Sequence, residues 1–317
     1  MTSVPQARLN TGATIPLVGL GCWMGVPGGG ERVYNMCMKA ISLGYRHIDT
    51  AAGYANEEQV GKAIRDSGIP RSEFFITTKL ANEEAHAAVS KALDTSLANL
   101  GLEYVDLYLI HWPQAAMNGK VLQPDEHPTI NDTWADMEKV FEEGRAKAIG
   151  VSNFSVKTLK RLEETWKVVP AVDQIEMHPF LPQNELKAYC EEKGIHLTAY
   201  SPVGQPSETS KAPSLLKNDL IVELAGKYSA TPGQILLSWG VQRGTSVIPK
   251  SENEERLRKN ITVVKLEDAD VKMIDELHTR PGLHRSTLPY HGDNGVFGWT
   301  YEQLGWPFNG EGIVIKL

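Results

Sequence analysis

A (β/α)8 TIM barrel is the α/β fold the sequence predicts, and three observations predict it. Short β-branched apolar runs alternate with longer stretches of helical periodicity, and no composition break marks a linker. Several runs, VDLYLIHW (105–112) among them, are apolar at nearly every position, as strands covered on both faces are. The length, 317 residues, accommodates eight strand–helix units as one barrel domain over 1–317. An open doubly wound sheet is the competitor. It calls for G-x-G-x-x-G after the first strand, whereas Gly19, Gly21 and Gly25 are spaced one residue too far and 26–30 lacks the GK[ST] of a P-loop. That glycine-rich stretch reads as a flexible strand-to-helix loop.

The elements follow in order. Residues 8–15, centred on Asn10-Thr11-Gly12, read as a β-hairpin placed before the first barrel strand, where it plugs the floor. Barrel strands are expected at 17–21, 46–49, 74–79, 105–111, 148–152, 171–176, 196–200 and 246–249. Helices are expected at 33–43, 57–67, 83–100, 133–143, 156–165, 183–193 and 215–228. Beyond Pro281 the chain is rich in Gly, Pro and aromatics and has no periodicity. Such an irregular C-terminal tail pads the outside of a barrel or folds over its mouth.

Composition excludes several function classes. Thirty-two basic against 39 acidic residues give a formal charge of −7, which argues against a nucleic-acid binder but leaves room for a local pocket for one phosphorylated ligand. With 41% hydrophobic and 22% charged residues the chain is globular, not disordered. Cys22, Cys37 and Cys190 form no C-x-x-C pair, so no disulfide framework and no metal site is expected, and a reducing compartment, the cytoplasm, is the natural setting. The N-terminal MTSVPQAR lacks the apolar core of a signal peptide, and no apolar run approaches the ~20 residues that span a bilayer. No membrane association is expected, and the lack of interface signatures favours a monomer.

Functional groups of a barrel gather where strands end and the following loops begin. Here the second strand ends in Asp49, the third in Lys79, the fourth in His111 and the fifth in Ser152-Asn153. The sixth carries Gln174, the seventh ends at Tyr200 and the eighth runs into Lys250. Burying such groups is costly unless they pair with one another or with a ligand. Each has an ordinary explanation alone: Asp49 as a cap, Lys79 as a surface lysine, His111 as a bonded core histidine, Tyr54 packed on a loop. Together, Asp49, Tyr54, Lys79 and His111 ring one mouth with a chemical logic. An ammonium favours the phenolate and lowers the pKa of a neighbouring phenol, while a carboxylate behind it keeps the ammonium charged. Tyr54 then becomes a proton donor for a carbonyl oxygen gaining charge, which His111 orients. Ser201 lies in no G-x-S-x-G elbow, which counts against acyl transfer. Glycoside hydrolysis needs two facing carboxylates, and only Asp49 and Glu176 are on offer.

GYRHIDTAAGYANEEQVGKAI, ITTKL, VDLYLIHWP, AIGVSNF, DQIEMHP, AYSPVG and VIPKS occur in order and span most of the chain. In these motifs the sequence resembles the aldo-keto reductases, most nearly the fungal aldehyde, glycerol and xylose reductase branch, to which VFGWTYEQLGW in the tail is also similar. The resemblance implies reduction of aldehydes and some ketones to alcohols, with the reverse oxidation open, using NADPH without a Rossmann fold. Tyr54 would be the general acid, tuned by Lys79 and Asp49, with His111 orienting the carbonyl. Ser152, Asn153 and Gln174 would hold the nicotinamide carboxamide, Tyr200 would stack on its ring, and Ser201 and Val203 would contact the pyrophosphate. Lys250, Ser251, Asn253, Arg256 and Asn260 resemble the adenosine 2′-phosphate and adenine site; without the resemblance, KSENEERLRKN reads as a solvated, salt-bridged helix start. Glu252 departs from the asparagine of xylose reductases. A carboxylate there repels a 2′-phosphate or accepts a bond from a 2′-hydroxyl, which brings in NADH as a weaker or second cofactor.

Trp23, Trp112 and Trp134, together with Tyr54 and His111, are expected to line the substrate pocket, with Trp299 of the tail as roofing. Aromatic walls suit apolar or aromatic aldehydes and offer little to sugar hydroxyls. Lys120 and Arg285 are the cations an acidic substrate would need. The competing function class is a catalytically weak NADPH-binding sensor or regulatory subunit on the same barrel; the intact set of four argues against it, since a pure binder has no use for a tuned phenol.

Overall fold

The computed structural model describes residues 4–83, 85–205 and 212–315. Residues 1–3, part of the N-terminal segment read for a leader, and 84, inside the expected helix 83–100, lie outside the described residues. In chain order the elements are β1 (Gln6–Arg8), β2 (Thr14–Pro16), β3 (Leu20–Gly21), α1 (Glu31–Ser42), β4 (His47–Asp49), α2 (Glu57–Asp66), β5 (Phe75–Leu80), α3 (Val89–Leu100) and β6 (Leu107–Ile110). A small hairpin, β7 (Ala116–Met117) and β8 (Lys120–Val121), precedes α4 (Ile130–Glu142). Then come β9 (Ile149–Ser152), α5 (Val156–Glu163), β10 (Val172–Glu176), α6 (Asn184–Lys193), β11 (His196–Tyr200), α7 (Asp219–Lys227) and α8 (Pro232–Gln242). The chain ends with β12 (Ser246–Val247), α9 (Glu254–Asn260), α10 (Asp268–Asp275) and α11 (Tyr301–Leu304).

Eight strands form one parallel sheet in the order β12-β11-β10-β9-β6-β5-β4-β3. The sheet closes on itself: Val18 bridges Val247 in parallel, Gly19 N–H donates to Val247 O at 2.9 Å, and Val247 N–H donates to Leu17 O at 2.8 Å. This is the expected (β/α)8 barrel, and each observed strand overlaps its expected run. Closure leaves the barrel sheet without a free edge strand.

Period-two alternation then fixes what each strand points inward. On β10, Val172 lies in the lowest layer, Gln174 above it and Glu176 at the top. On β5 and β6 the same stepping runs Phe75, Thr77, Lys79 and Leu107, Leu109, His111. In the lowest layer Leu9 and Ile15 of the N-terminal hairpin pack with Phe75, Leu107, Leu109, Ala148, Ala171 and Val172. The hairpin therefore plugs the floor as expected, and two histidines share this level with partners of their own: His47, beside Phe75, bonds Pro16 O, and His196, beside Val172, bonds Ser246 Oγ. Gly150, two residues below Ser152, is required by close approach: a Cβ there would sit 2.3 Å from Val172 O.

The outer helices bury their apolar stripes against the strands. Capping boxes start α4 (Thr129 with Asp132), α5 (Ser155 with Thr158) and α8 (Thr231 with Gln234). The periodicity reading does not single out α8, because Gln234–Val241 is buried at every position and shows no stripe. Among the described residues, no helix is long and apolar enough to cross a membrane.

Candidate active site

The C-terminal ends of β4, β5 and β10, with the segments that follow β4 and β6, bring the central groups together. Asp49 ends β4 and is 1% exposed; Lys79, on β5, is fully buried. The Lys79 ammonium donates to Asp49 Oδ1 at 2.5 Å, to Thr50 O at 2.8 Å and to the Tyr54 phenol oxygen at 3.4 Å. Gln174 donates its amide to the other oxygen, Asp49 Oδ2, at 2.6 Å. Each Asp49 oxygen therefore has a donor, which satisfies a carboxylate removed from water.

Tyr54 sits on a 3-10 turn, Ala52–Tyr54, that Ala55 closes in the left-handed region at φ 52°. The turn is braced from two sides. Thr50 Oγ1 donates to Asn56 Oδ1, whose amide donates to Cys22 O, and Gly28 N–H donates to Tyr54 O at 2.8 Å. The glycine-rich loop is thus tied to the tyrosine turn by at least one of its amides. His111 lies edge-on to Tyr54 with ring centroids 5.5 Å apart, and neither of its ring nitrogens has a partner among the described residues.

Electrostatics correct one expectation. Burial pushes the Tyr54 phenol above its ordinary value; Lys79 pulls the other way without overcoming it. The phenol is therefore not acidified in the resting site and stays protonated at neutral pH. Because the ammonium donates into the phenol oxygen, the phenol's own hydrogen is left to point into the mouth. Lys79 is itself held above its ordinary value: burial disfavours its charge, but Asp49 and Tyr54 outweigh that cost. His111 is pushed well below the ordinary imidazole value by burial and by the nearby Lys79 charge, so it is neutral and has one N–H to donate.

Beside this group lies a second, amide-rich one. Ser152 Oγ donates to Gln174 O at 2.8 Å and accepts from the Asn153 amide at 3.2 Å, which leaves one lone pair for an incoming N–H. Asn153, with φ 65°, takes a left-handed conformation that asparagine tolerates. Its amide donates to His111 O and Ser152 Oγ, while its Oδ1 accepts from Tyr200 O–H at 2.6 Å. Asn153 thus tethers the loops rather than presenting free N–H groups. Gln174 keeps its Oε1 without a partner among the described residues. Ser201 follows at φ 46°, and Val203 packs against the core.

The stretch after β12 is more exposed. Asn253 caps α9 by accepting from Arg256 N–H, and Ser251 Oγ accepts from Arg256 Nε at 3.2 Å. Asn260 lies one turn beyond Arg256 on the same helix. Among the described residues Arg256 has no carboxylate partner. Lys250 does: its ammonium is 2.7 Å from Glu252 Oε1.

Aromatic rings form a continuous arc across the mouth. Trp23 meets Tyr54 at 5.1 Å between centroids, and His111 meets Trp112 at 6.4 Å. Trp112 in turn meets Phe297 at 4.7 Å, Tyr290 at 5.4 Å and Trp306 at 6.1 Å. The tail therefore folds over the mouth. Two expected wall residues are not there. Trp134 is 1% exposed within the core, its indole donating to Val168 O, because it lies on the inner face of α4. Trp299 is 4% exposed and donates to Leu122 O; it borders a separate groove of about 560 Å³ whose cations Arg161 and Lys157 bind Asp125 and Glu302 O. Phe297, Tyr290 and Trp306 take the place assigned to it. Lys120 is paired with Glu126, and Arg285 donates to tail carbonyls.

Sequence reasoning also missed what Glu176 does. Its carboxylate accepts from Ser286 Oγ at 2.5 Å, Thr287 N–H at 2.8 Å and Thr287 Oγ1, with His178 Nε2 at 2.9 Å. Burial disfavours its charge, yet these donors hold it below its ordinary value. It anchors the tail to the barrel and is no partner of Asp49 in glycoside chemistry. Tyr290 continues that anchorage, its hydroxyl 2.9 Å from that of Tyr200.

Residues 18–279 match the model of the aldo/keto reductase family. The chain is 45% identical over 296 residues to aldehyde reductase YPR1 of Saccharomyces cerevisiae, covering 88% of this chain and 92% of that protein. It is 43% identical over 299 residues to glycerol 2-dehydrogenase (NADP(+)) of the same yeast, covering 89% and 93%. Among solved structures it is similar to a Bombyx mori aldo-keto reductase (AKR2E4) crystallised in complex with NADP, with a TM-score of 0.81, 38% identity, and coverage of 87% of this chain and 93% of that one.

Proposed function

The chain belongs to the aldo/keto reductase family, and from that premise we propose that Tyr54 is the general acid of the carbonyl reduction carried out at this barrel mouth. The protein is an NADPH-dependent oxidoreductase that reduces carbonyl compounds to alcohols. Bound NADPH supplies the hydride that reaches the carbonyl carbon; the side chains bind, orient and protonate. The donor set fits a nicotinamide dinucleotide. Ser152 Oγ and the free Oε1 of Gln174 would accept from a carboxamide, and Tyr200, held by Asn153, would offer the nicotinamide ring a flat neutral phenol to stack on. Ser201 and Val203 flank the pyrophosphate path, and Lys250, Ser251, Asn253, Arg256 and Asn260 receive the adenosine end.

One observation carries the assignment: the Lys79 ammonium donates into the phenol oxygen of Tyr54, leaving that phenol's hydrogen for a substrate oxygen. Neutral His111 donates its N–H to the same oxygen and so fixes the carbonyl's orientation. As charge develops on that oxygen, Tyr54 transfers its proton and Lys79 stabilises the phenolate left behind. In the reverse direction the phenolate must form first. Alcohol oxidation therefore rises with pH across the neutral and alkaline range, whereas reduction meets no loss from Tyr54 until pH exceeds its raised value.

The substrates are aldehydes with apolar or aromatic bodies, because the wall from Trp23 to Trp306 is aromatic and the nearby cations Lys120 and Arg285 are engaged elsewhere. Phe297, 49% exposed, is the outer edge of that wall. Following NADPH absorbance, aromatic aldehydes are expected to show a lower KM than open-chain sugars. Phe297→Ala should raise KM for an aromatic aldehyde about three- to tenfold, the worth of one aromatic contact, and leave a two-carbon aldehyde unaffected. Tight NADPH binding without turnover of any aldehyde would instead support the sensor. The closed barrel supports reading the chain as one barrel domain. The Cys22 and Cys37 thiols, hydrogen-bonded at 3.9 Å between sulfurs with no disulfide joining them, suit a reducing cytoplasm.

A further inference from the structure

A carboxylate in the middle of a phosphate site needs a physical explanation, and Glu252 is one. It lies between Lys250 and Asn253 in the loop from β12 to α9, two of the positions read as receiving the adenosine end. Left alone it would cancel one of the two positive charges, Lys250 and Arg256, available to a 2′-phosphate that carries about −1.5 to −2 at neutral pH. It would also hold Lys250, whose ammonium it already binds at 2.7 Å. The structure supplies a third cation from a distant part of the chain. Arg32, in the first turn of α1, reaches Glu252 with both prongs of its guanidinium: Nε to Oε2 at 2.9 Å and Nη2 to Oε1 at 2.8 Å. The planar fork matches the carboxylate edge, a geometry lysine cannot reproduce. With two cations on it, Glu252 is held down to about 2, hydrogen bonds from Arg32 and Lys250 being the cause.

We propose that Arg32 is a specificity-determining residue that selects NADPH over NADH by keeping Glu252 neutralised and turned toward α1, so that the Lys250 ammonium is not Glu252's sole counter-charge and can serve the 2′-phosphate. The inference rests on the cofactor placement given above. Its logic is competitive. Glu252 has two oxygens, and both now face Arg32. In NADH the ribose carries a 2′-hydroxyl that donates a hydrogen bond to a free carboxylate, whereas in NADPH a dianionic ester occupies that position and is repelled by one. Removing Arg32 therefore shifts the balance in both directions at once: Glu252 is left with Lys250 as its one cation, one negative charge reappears beside the phosphate, and an acceptor reappears for the hydroxyl. The first turn of α1 and the loop before α9 are joined by this bridge, so the preference is written in a residue that need not touch the cofactor.

The test is calorimetric titration of the intact protein with NADP+ and NAD+, using wild type, Arg32→Ala, Glu252→Gln and the double variant. Arg32→Ala is expected to weaken NADP+ about three- to tenfold, the scale of one unit charge acting through water on a near-divalent phosphate at several ångströms, with NAD+ unchanged or tighter. The loss should shrink in high salt, since the charges are solvent-exposed. In the Glu252→Gln background the same Arg32→Ala change should alter NADP+ binding by less than about twofold, because nothing remains for Arg32 to neutralise. Equal weakening of both nucleotides, or an undiminished NADP+ loss in the Glu252→Gln background, would overturn the proposal. Failure of the underlying placement gives a different signature: Arg256→Ala and Lys250→Ala would then leave NADP+ affinity at its wild-type value.

Discussion

Replacing Tyr54 with phenylalanine is expected to lower kcat for aldehyde reduction by about 10²- to 10⁴-fold, the usual contribution of a positioned general acid, while the Kd for NADP+ changes little. The variant removes one oxygen and its hydrogen and keeps the ring against Trp23 and His111, so the aromatic wall survives. What it removes is proton donation, which acts in the transition state and not in the ground-state complex. Hence kcat should fall with kcat/KM and the cofactor should bind as before. His111→Gln makes an informative contrast. It keeps an N–H donor near the carbonyl but alters its position, so its loss should be smaller and should appear partly in KM. Stopped-flow measurement of NADPH consumption separates the chemical step from product release. Equal single-turnover rates in wild type and Tyr54→Phe would remove the tyrosine from the mechanism.

The second large effect is on stability. Lys79 and Asp49 are an ion pair with essentially no solvent exposure, and such a pair is easier to delete than to break. Lys79→Met leaves Asp49 buried with Gln174 as its remaining donor, and the uncompensated charge should cost about 3–5 kcal/mol of stability in denaturant unfolding. The double variant Lys79→Met with Asp49→Asn removes both charges and should recover most of that loss, though not activity. The pH dependence follows from Lys79. Its value is raised on folding, so its contribution is fully present below the ordinary lysine value of about 10.4 and is lost only as pH rises through the higher folded value. A single variant within about 1 kcal/mol of wild type would mean that the pair is not desolvated as its burial indicates.

The residues that the sequence made legible share a physical cause. Asp49, Lys79, His111, Ser152, Gln174 and Tyr200 stand at the ends of apolar runs, and a closed parallel barrel leaves such positions nowhere to point except the mouth. Strand periodicity alone therefore predicted their meeting before any motif was invoked. Tyr54 was harder, since it sits on a turn and not at a strand end; the chemistry of a phenol beside an ammonium assigned it, and the motif around it agreed. Where the reading failed, the cause is tertiary. Trp134 and Trp299 look like any other tryptophan near a loop, but helix rotation in the first case and tail path in the second decide which indole is core. Glu176 read as a spare carboxylate because its partners Ser286 and Thr287 come from an aperiodic tail about 110 residues downstream. Arg32 was invisible for the same reason: it meets Glu252 across 220 positions of sequence. The direction of the Tyr54 shift also needed coordinates, because burial and Lys79 oppose each other and only geometry says which wins.

Those two opposing influences define the central claim, that Tyr54 hands a proton to a carbonyl oxygen held against the nicotinamide. A crystal structure of the protein with bound NADP+ tests it most directly. The account predicts the Tyr54 hydroxyl and the His111 ring facing the reactive ring carbon across a gap that holds one carbonyl group, with the hydroxyl close enough for a carbonyl oxygen to lie about 3 Å from it. A nicotinamide seated away from Ser152 and Gln174, with the Tyr54 hydroxyl open to bulk water, would contradict it.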